Sequence, residues 1–197
     1  HLFIGSDDGY LYAINLLAQR RTWRFDAGGP VRSTPFITQD YLYVGSEIGE
    51  LLCLDFRGQS KWRFKAKRAI TSSPLVAQGM VFVGALDSTF YAIDARSGWA
   101  LWRYRMGKGT VSSPCRLDNY VYIGSADGCI YCIDAGTSKE IWNYKTAHQV
   151  SGSPVAYKGH LYCGSADGNL YCLDAKTGHL KWKFSTGGPI TGTPIVY

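Results

Sequence analysis

The chain of 197 residues is long enough for one folded domain with a sizeable buried core. Hydrophobic residues make up 46% and charged residues 18% of it, which excludes an intrinsically disordered chain, and no run of apolar residues is long enough to predict a membrane-spanning helix. The formal net charge of +6 is modest for this length and is by itself weak evidence for a nucleic-acid partner.

A repeat of 39 or 40 residues runs through the whole chain and decides the predicted fold. Each of its five copies carries a glycine, a proline and a tryptophan at matching positions. The glycines are Gly5, Gly45, Gly84, Gly124 and Gly164, the prolines are Pro35, Pro74, Pro114, Pro154 and Pro194, and the tryptophans are Trp23, Trp62, Trp102, Trp142 and Trp182.

Four strand-like segments follow one another in each copy. In the last complete copy they read "SGSPVAY", "HLYCGS", "NLYCLD" and "LKWKFS". Asp167-Gly168 predicts a tight hairpin between the second and third segments, and the fourth alternates apolar and polar residues. Four antiparallel strands in about forty residues are the signature of a β-propeller blade. The sequence therefore predicts an all-β fold, a β-propeller of five four-stranded antiparallel blades.

We expect a single propeller domain over residues 1–197. Blade 1 is shared by residues 1–30 and 187–197, and blades 2 to 5 follow at residues 31–69, 70–109, 110–149 and 150–186. The C-terminal segment "TGTPIVY" would pair with the N-terminal strands, which closes the ring within a monomer and covers its edge strands. The alternative is an arc of a seven- or eight-bladed ring, or an arc that closes by oligomerising.

The segment between the third and fourth strands carries a resemblance to a known family. "AIDARSGWALW" (92–102) and "CLDAKTGHLKW" (172–182) resemble the tryptophan-docking motif of PQQ-like (quinoprotein-type) β-propeller repeats. The match depends on an Asp, a Gly and a Trp at fixed spacing. It is weaker in copy four, where Ser138 replaces the glycine, and weakest in copy one, where Asn15 replaces the aspartate. The resemblance implies that each tryptophan packs between adjacent blades and that the glycine caps the turn.

Residues that recur in nearly every copy are predicted to be structural. The large area that a tryptophan buries suits packing between blades. The aspartates are expected to tie their own turns through backbone hydrogen bonds, because catalysis needs one site and not one site in each blade. These structural residues are Trp23, Trp62, Trp102, Trp142, Trp182, Asp55, Asp94, Asp134 and Asp174.

Most of the six cysteines occupy positions that hold small apolar residues in other copies, which predicts free core thiols. Cys129 and Cys132 lie three residues apart on one strand and point to opposite faces, which argues against a zinc or redox motif. If the hairpin turns on Asp167-Gly168, Cys163 and Cys172 lie opposite each other, so a disulfide between them is an open alternative. Free thiols favour a cytoplasmic location, and a periplasmic or extracellular one is the alternative if an export signal has been removed.

The family resemblance raises the possibility of a quinone-dependent dehydrogenase. Those enzymes use a calcium site, and the alcohol dehydrogenases among them place two adjacent cysteines against the cofactor. This sequence has no Cys-Cys pair, no insertion that could hold a single catalytic group, and no Ser-His-Asp, His-Glu-x-x-His or phosphate-binding motif. We therefore expect no enzyme activity and neither PQQ nor calcium as a cofactor.

Five loops lead from the last strand of one copy into the first strand of the next and would frame one mouth of the central channel. Several basic or polar side chains in these loops break the repeat, namely Arg32, Lys67, Arg68, Lys108, His148 and Gln149. We expect them to bind an anionic ligand or an acidic peptide. The alternative is a set of solvated loops, with the charge balanced by neighbouring hairpin carboxylates. These are Asp7, Asp8, Glu47, Asp87, Asp127 and Asp167.

A second basic set lies on the fourth strands, which form the rim of the ring. It comprises Arg24, Lys61, Arg63, Lys65, Arg103, Arg105, Lys145, Lys181 and Lys183. We interpret these residues as protection against edge-to-edge aggregation and not as a nucleic-acid track.

The sequence thus predicts a non-catalytic binding module, a scaffold or sensor propeller, whose partner is a protein or peptide. No membrane insertion and no nucleic-acid partner are expected. Two alternatives remain open: a quinone-dependent dehydrogenase-like protein, and a purely structural repeat array cut or engineered from a larger propeller.

Overall fold

In the computed structural model, which describes residues 1–197, the chain forms nineteen strands and no helix. The strands, in chain order, are β1 (Leu2–Gly5), β2 (Tyr10–Asn15), β3 (Arg20–Asp26), β4 (Phe36–Ile37), β5 (Tyr41–Gly45), β6 (Glu50–Asp55), β7 (Ser60–Lys65), β8 (Leu75–Ala77), β9 (Met80–Gly84), β10 (Thr89–Asp94), β11 (Ala100–Arg105), β12 (Cys115–Leu117), β13 (Tyr120–Gly124), β14 (Cys129–Asp134), β15 (Glu140–Lys145), β16 (Val155–Tyr157), β17 (His160–Gly164), β18 (Asn169–Asp174) and β19 (Leu180–Ser185). None of its elements is a helix that could span a membrane.

The strands form five antiparallel sheets in which sequence neighbours pair. Blade 1 has three strands in the order β1-β2-β3, and the other four blades each have four, from β4-β5-β6-β7 to β16-β17-β18-β19. The predicted all-β architecture of four-stranded antiparallel blades is therefore confirmed for blades 2 to 5.

The core lies in the layers between neighbouring blades. Successive side chains of a strand point to opposite faces, so the middle strands bury residues on both sides. In β14, Cys132 packs with Leu161 and Cys163 of blade 5, whereas Ile133 packs with Phe82 of blade 3. Because blades 2 to 4 are covered on both faces, their middle strands are apolar at nearly every position and not at every second one.

The second and third strands of each blade are joined by a three-residue loop. In blade 5, the Ser165 amide donates to the Asn169 carbonyl oxygen at 3.0 Å, and Gly168 adopts the left-handed region with φ of 84°. This geometry is a turn followed by a glycine bulge, a common alternative to the two-residue hairpin that Asp167-Gly168 suggested. The extra residue shifts the register by one position.

The register of β17 and β18 excludes a disulfide between Cys163 and Cys172, which the sequence had left as an alternative. Cys163 pairs with Tyr171, and Cys172 pairs with Tyr162, so the two thiols point to opposite faces of the blade. All six cysteines are free. Cys129 and Cys132 also face different layers, since Cys132 packs toward blade 5 and Cys129 lies against the layer shared with blade 3.

Tryptophans of the last strands connect neighbouring blades. The Trp62 indole N–H donates to the Ala95 carbonyl oxygen of the next blade at 3.0 Å, and Trp102 does the same to Ala135 at 2.8 Å. Gly98 lies against the Trp62 ring with φ of 77°, and an added Cβ there would lie 2.7 Å from the ring. The residue at this turn must therefore have a small side chain and a backbone in the left-handed region, and both requirements favour glycine.

The aspartates of the same segments tie their turns. One Asp94 carboxylate oxygen accepts the backbone N–H groups of Arg96 and Ser97, at 3.2 and 2.7 Å, and also the Ser97 hydroxyl. Mainly through these bonds to Ser97, the pKa of Asp94 is lowered. These carboxylates are thus used within their own turns.

The structure does not show the predicted closure of the ring. Residues 187–197 form no strand, and no hydrogen bond joins residues 191–197 to β1. Ile195 is 92% exposed, and the indole of Trp182 is half exposed and has no hydrogen-bond acceptor.

Candidate functional site

The mouth loops, which we define as residues 27–35, 66–74, 106–114 and 146–154, are held by backbone hydrogen bonds to hairpins on both sides. The Ala66 amide donates to Gly49 at 2.8 Å and the Ile70 amide to Ser46 at 3.0 Å, both in the hairpin of blade 2. In the other direction, the Leu86 amide in the hairpin of blade 3 donates to Ala69 at 2.9 Å. Each loop is therefore clamped, and its exposed side chains are displayed at a defined place.

Three successive mouth loops display a basic side chain at the same position. Arg68, Lys108 and His148 occupy this position, whose equivalents elsewhere are Gly29 and Gly188. All three are exposed, and neither they nor Lys67 form an ion pair. These four predicted residues are thus exposed and unpaired on successive mouth loops.

Arg32 differs from the other basic residues of the mouth. Its guanidinium pairs with Asp7 at 2.8 Å and with Glu47 at 2.8 Å. The hydrogen bond from Arg32 lowers the pKa of Asp7, and the same bond raises the pKa of Arg32. Arg32 lines a cavity of about 540 Å³ beside β1, and its charge is balanced by the two carboxylates.

The hairpin aspartates hold the mouth loops in place. Asp87 accepts the Tyr91 hydroxyl at 2.6 Å and the backbone N–H of Lys67 at 3.0 Å. Asp127 and Asp167 accept tyrosine hydroxyls in the same way, from Tyr131 at 2.8 Å and from Tyr171 at 2.7 Å. These three carboxylates therefore accept hydrogen bonds that hold the loops, and they do not form ion pairs with the basic side chains of the mouth.

The pKa shifts of this network agree with its geometry. Burial raises the pKa of Asp127, but hydrogen bonds from the Cys129 amide and the Tyr131 hydroxyl outweigh it, so that the pKa is lowered. Burial, with the hydrogen bond to Asp87, raises the pKa of Tyr91 to about 12. At neutral pH, the tyrosines are thus donors and the aspartates acceptors.

Gln149 lies beside a small apolar cavity between two mouth loops. The cavity has a volume of about 220 Å³ and is lined by Gly109 and Val111 of one loop and by Gln149 and Ser151 of the next. The Ser151 hydroxyl oxygen is buried there without a hydrogen-bond partner. This cavity separates the loop that carries Lys108 from the one that carries His148.

One exposed residue was missed by the sequence reasoning. Trp99 is the sixth tryptophan of a chain with five repeats, and it is 77% exposed in the turn between β10 and β11. Its position holds Gln59, Lys139 and His179 in other blades. The number of tryptophans could have revealed this residue, because a sixth tryptophan outside the repeat position cannot link two blades as the other five were expected to do.

Comparisons with known proteins agree with the fold. A family model described as "Beta-alanine-activating enzyme, beta-propeller" matches residues 1–197. No curated protein sequence matches the chain significantly.

Two solved structures are similar over almost the whole chain. BamB from Moraxella catarrhalis has a TM-score of 0.84 and 22% sequence identity, over 97% of this chain and 62% of that one. The computationally designed Ika8 protein has a TM-score of 0.85 and 21% identity, over 96% of this chain and 60% of that one. This chain thus spans about six tenths of the length of either structure. The likenesses show the propeller fold, and together with the family model they support the resemblance to PQQ-like β-propeller repeats.

Proposed function

Since the chain belongs to the beta-propeller family of the beta-alanine-activating enzyme, we propose that it is a non-catalytic binding module whose mouth loops bind an acidic segment of a partner protein. The family name refers to an enzyme that activates beta-alanine. We assign this propeller a role in contacting a partner and not in that activation, because the aspartates and tyrosines of the mouth are used to hold the loops. The BamB-like fold is compatible with such a role.

The observation that carries this proposal is the row of unpaired basic side chains on clamped loops. Arg68, Lys108 and His148 repeat at one position in three successive loops, and Lys67 lies beside the first. Exposed cations that lack a carboxylate partner attract an acidic chain and strengthen its binding through charge-assisted hydrogen bonds. Because the loops are held by backbone bonds, little ordering cost remains when the partner binds.

The test is a charge reversal with a matched control. Lys67→Glu, Arg68→Glu and Lys108→Glu together are expected to weaken binding of a fluorescein-labelled glutamate-rich peptide by at least about tenfold in fluorescence anisotropy, as for hot-spot residues. The control combines Arg57→Glu, Arg96→Glu and Lys176→Glu, which lie at the opposite end of the blades and are exposed without ion pairs. This control has the same net charge and is expected to change the affinity by less than about threefold, because charges beyond about 8 Å are screened at physiological salt. Equal losses in the two triple variants would show that net charge alone attracts the peptide.

We also propose that the recurring tryptophans act as the tryptophan-docking motif of PQQ-like repeats. Support comes from four indole N–H bonds to the following blade, made by Trp23, Trp62, Trp102 and Trp142 at 2.8–3.0 Å. In blade 4, Ser138 takes the left-handed conformation with φ of 63°, so the turn forms there without glycine. This role is structural and independent of the binding proposal.

A further inference from the structure

A groove on the rim of the propeller lies between blades 2 and 3, where the turn before β11 faces the C-terminal half of β7. It has a volume of about 340 Å³ and is lined by the segment Arg63–Lys65 of β7, the turn Ser97–Ala100, and Arg103 of β11. We call it the rim groove. It shares no residue with the mouth site proposed above.

Trp99 forms one wall of the rim groove and has no partner of its own. Its indole N–H donates no hydrogen bond, and its ring makes no contact with another aromatic ring or with a cation. With 77% of its surface exposed, the side chain contributes little to folding, and the polar residues at the same position of other blades show that the turn does not need it. Exposed tryptophans next to arginine are typical of binding hot spots.

The floor of the rim groove is an unpaired strand edge. β7 is the outermost strand of blade 2, and no other strand pairs with its outer side. No hydrogen bond outside the sheet uses the backbone of residues 60–65. Along such an edge, every second residue directs its N–H and C=O outward, which is a template for an added strand.

The basic side chains around this edge outnumber the carboxylates that pair with them. Arg103 forms neither an ion pair nor a hydrogen bond. Arg63 and Lys65 share a single carboxylate, that of Glu50, at 3.2 and 3.9 Å. A basic edge repels a second copy of itself, but it attracts a strand that carries carboxylates.

The two faces of β7 differ in chemistry. Phe64 is buried toward blade 3, whereas the Arg63 guanidinium lies 5.3 Å from the Phe25 ring of blade 1. A strand added beside β7 would therefore meet Trp99 and Phe64 on one face, and Arg63 and Lys65 on the other.

From this arrangement we propose that the rim groove binds an extended peptide in which apolar and acidic side chains alternate. The peptide pairs with the outer edge of β7 as a fifth strand of blade 2. Its apolar side chains pack on Trp99, its carboxylates face Arg63 and Lys65, and Arg103 pairs with a further carboxylate at the end of the groove. A single aromatic platform in a short groove suits such a peptide better than single-stranded nucleic acid, which stacks successive bases on several aromatic rings.

The experiment uses a fluorescein-labelled peptide of alternating glutamate and valine, with fluorescence anisotropy as the readout. Trp99→Lys installs the residue that blade 4 has at this position, and Arg103→Asn likewise installs the equivalent of Asn143. Each is expected to raise the Kd at least about tenfold, as for a hot-spot residue. Lys183→Asn, which also removes a basic side chain at the equivalent position of blade 5, is expected to raise the Kd less than about twofold because His179 replaces the tryptophan there.

Two further arms test the added strand and separate this site from the mouth. Methylation of alternate backbone nitrogens of the peptide is expected to weaken binding at least about tenfold, because it removes the hydrogen bonds to the edge. A mouth variant with Lys108→Glu and His148→Glu, in loops that do not adjoin β7, is expected to retain the affinity within about threefold. Absence of binding to the unmodified protein, unchanged affinity in Trp99→Lys, or tighter binding of an oligothymidylate of equal charge would each overturn the proposal.

Discussion

Replacement of Trp142 by alanine, compared with the same replacement of Trp182, measures what a link between two blades contributes to stability. The two residues occupy the same position of successive repeats and differ in their surroundings. Trp142 is 9% exposed, and its indole N–H donates to the Ala175 carbonyl oxygen at 3.0 Å. Trp182 is 47% exposed and donates no hydrogen bond, because no following blade contacts it.

The expected costs follow from the buried area. A tryptophan buries about 200 Å², which at about 25 cal/mol per Å² corresponds to about 5 kcal/mol, and truncations of buried aromatics cost about 3–5 kcal/mol. We expect Trp142→Ala to lower the free energy of unfolding by about 4 kcal/mol. Trp182→Ala should cost about 2 kcal/mol, because half of its surface is already exposed and no hydrogen bond is lost.

Urea unfolding followed by circular dichroism, and thermal unfolding, provide the measurement. For a chain of this size, 1 kcal/mol corresponds to about 2–4 °C, so we expect the melting temperature to fall by about 12 °C for Trp142→Ala and about 6 °C for Trp182→Ala. Trp142→Phe retains a ring and loses only the N–H, and we expect it to cost about 1 kcal/mol beyond its smaller area.

Equal losses for the two alanine variants would refute the reasoning. They would mean that Trp182 is as buried in solution as Trp142, and hence that its blade packs against another surface. A small loss for both would instead show that the indole links contribute little to the contact between blades.

Two further predictions concern backbone strain and acid stability. Gly178→Ala places a Cβ 2.6 Å from the Trp142 ring at φ of 72°, and we expect it to cost about 3 kcal/mol in urea unfolding. Gly159→Ala, at φ of 77° with no atom within 4 Å, should cost only about 1 kcal/mol, and a similar loss in both variants would contradict the role of the ring. The pKa of Asp174 is lowered to about 2, chiefly by the Thr177 amide and also by Lys181. Because this value lies below the unfolded value of about 4, the carboxylate stabilises the fold above pH 4, and that contribution is lost as the pH falls toward 2. Asp174→Asn is therefore expected to show a shallower loss of stability over this range in urea unfolding, and an unchanged slope would contradict the assignment.

The hairpin of blade 5 illustrates where local reasoning succeeds and fails. Asp167-Gly168 marks the correct turn, because only a few residue types accept the required backbone angles. The same dipeptide serves both a two-residue and a three-residue loop, and the choice moves every side chain of the strand to the other face. For that reason, the sequence left a Cys163–Cys172 disulfide open, and the register excludes it.

The mouth site shows a similar division. The break in the repeat at Arg68, Lys108 and His148 is visible in the sequence, and in the structure these residues are exposed on successive mouth loops. The pairing of Arg32 with two carboxylates was not predictable, because its partners Asp7 and Glu47 belong to hairpins of two different blades. The loop-holding role of the hairpin aspartates likewise depends on contacts between separate segments.

The sequence by itself determined the repeat, the four strands of blades 2 to 5 and the positions of the loops. These features depend on side-chain period and turn chemistry, which act over a few residues. Only the tertiary structure decided the register of the hairpins, the pairing of Arg32 and the unpaired edge beside Trp99. These features depend on how whole sheets are placed against one another, and many similar placements satisfy the same local pattern.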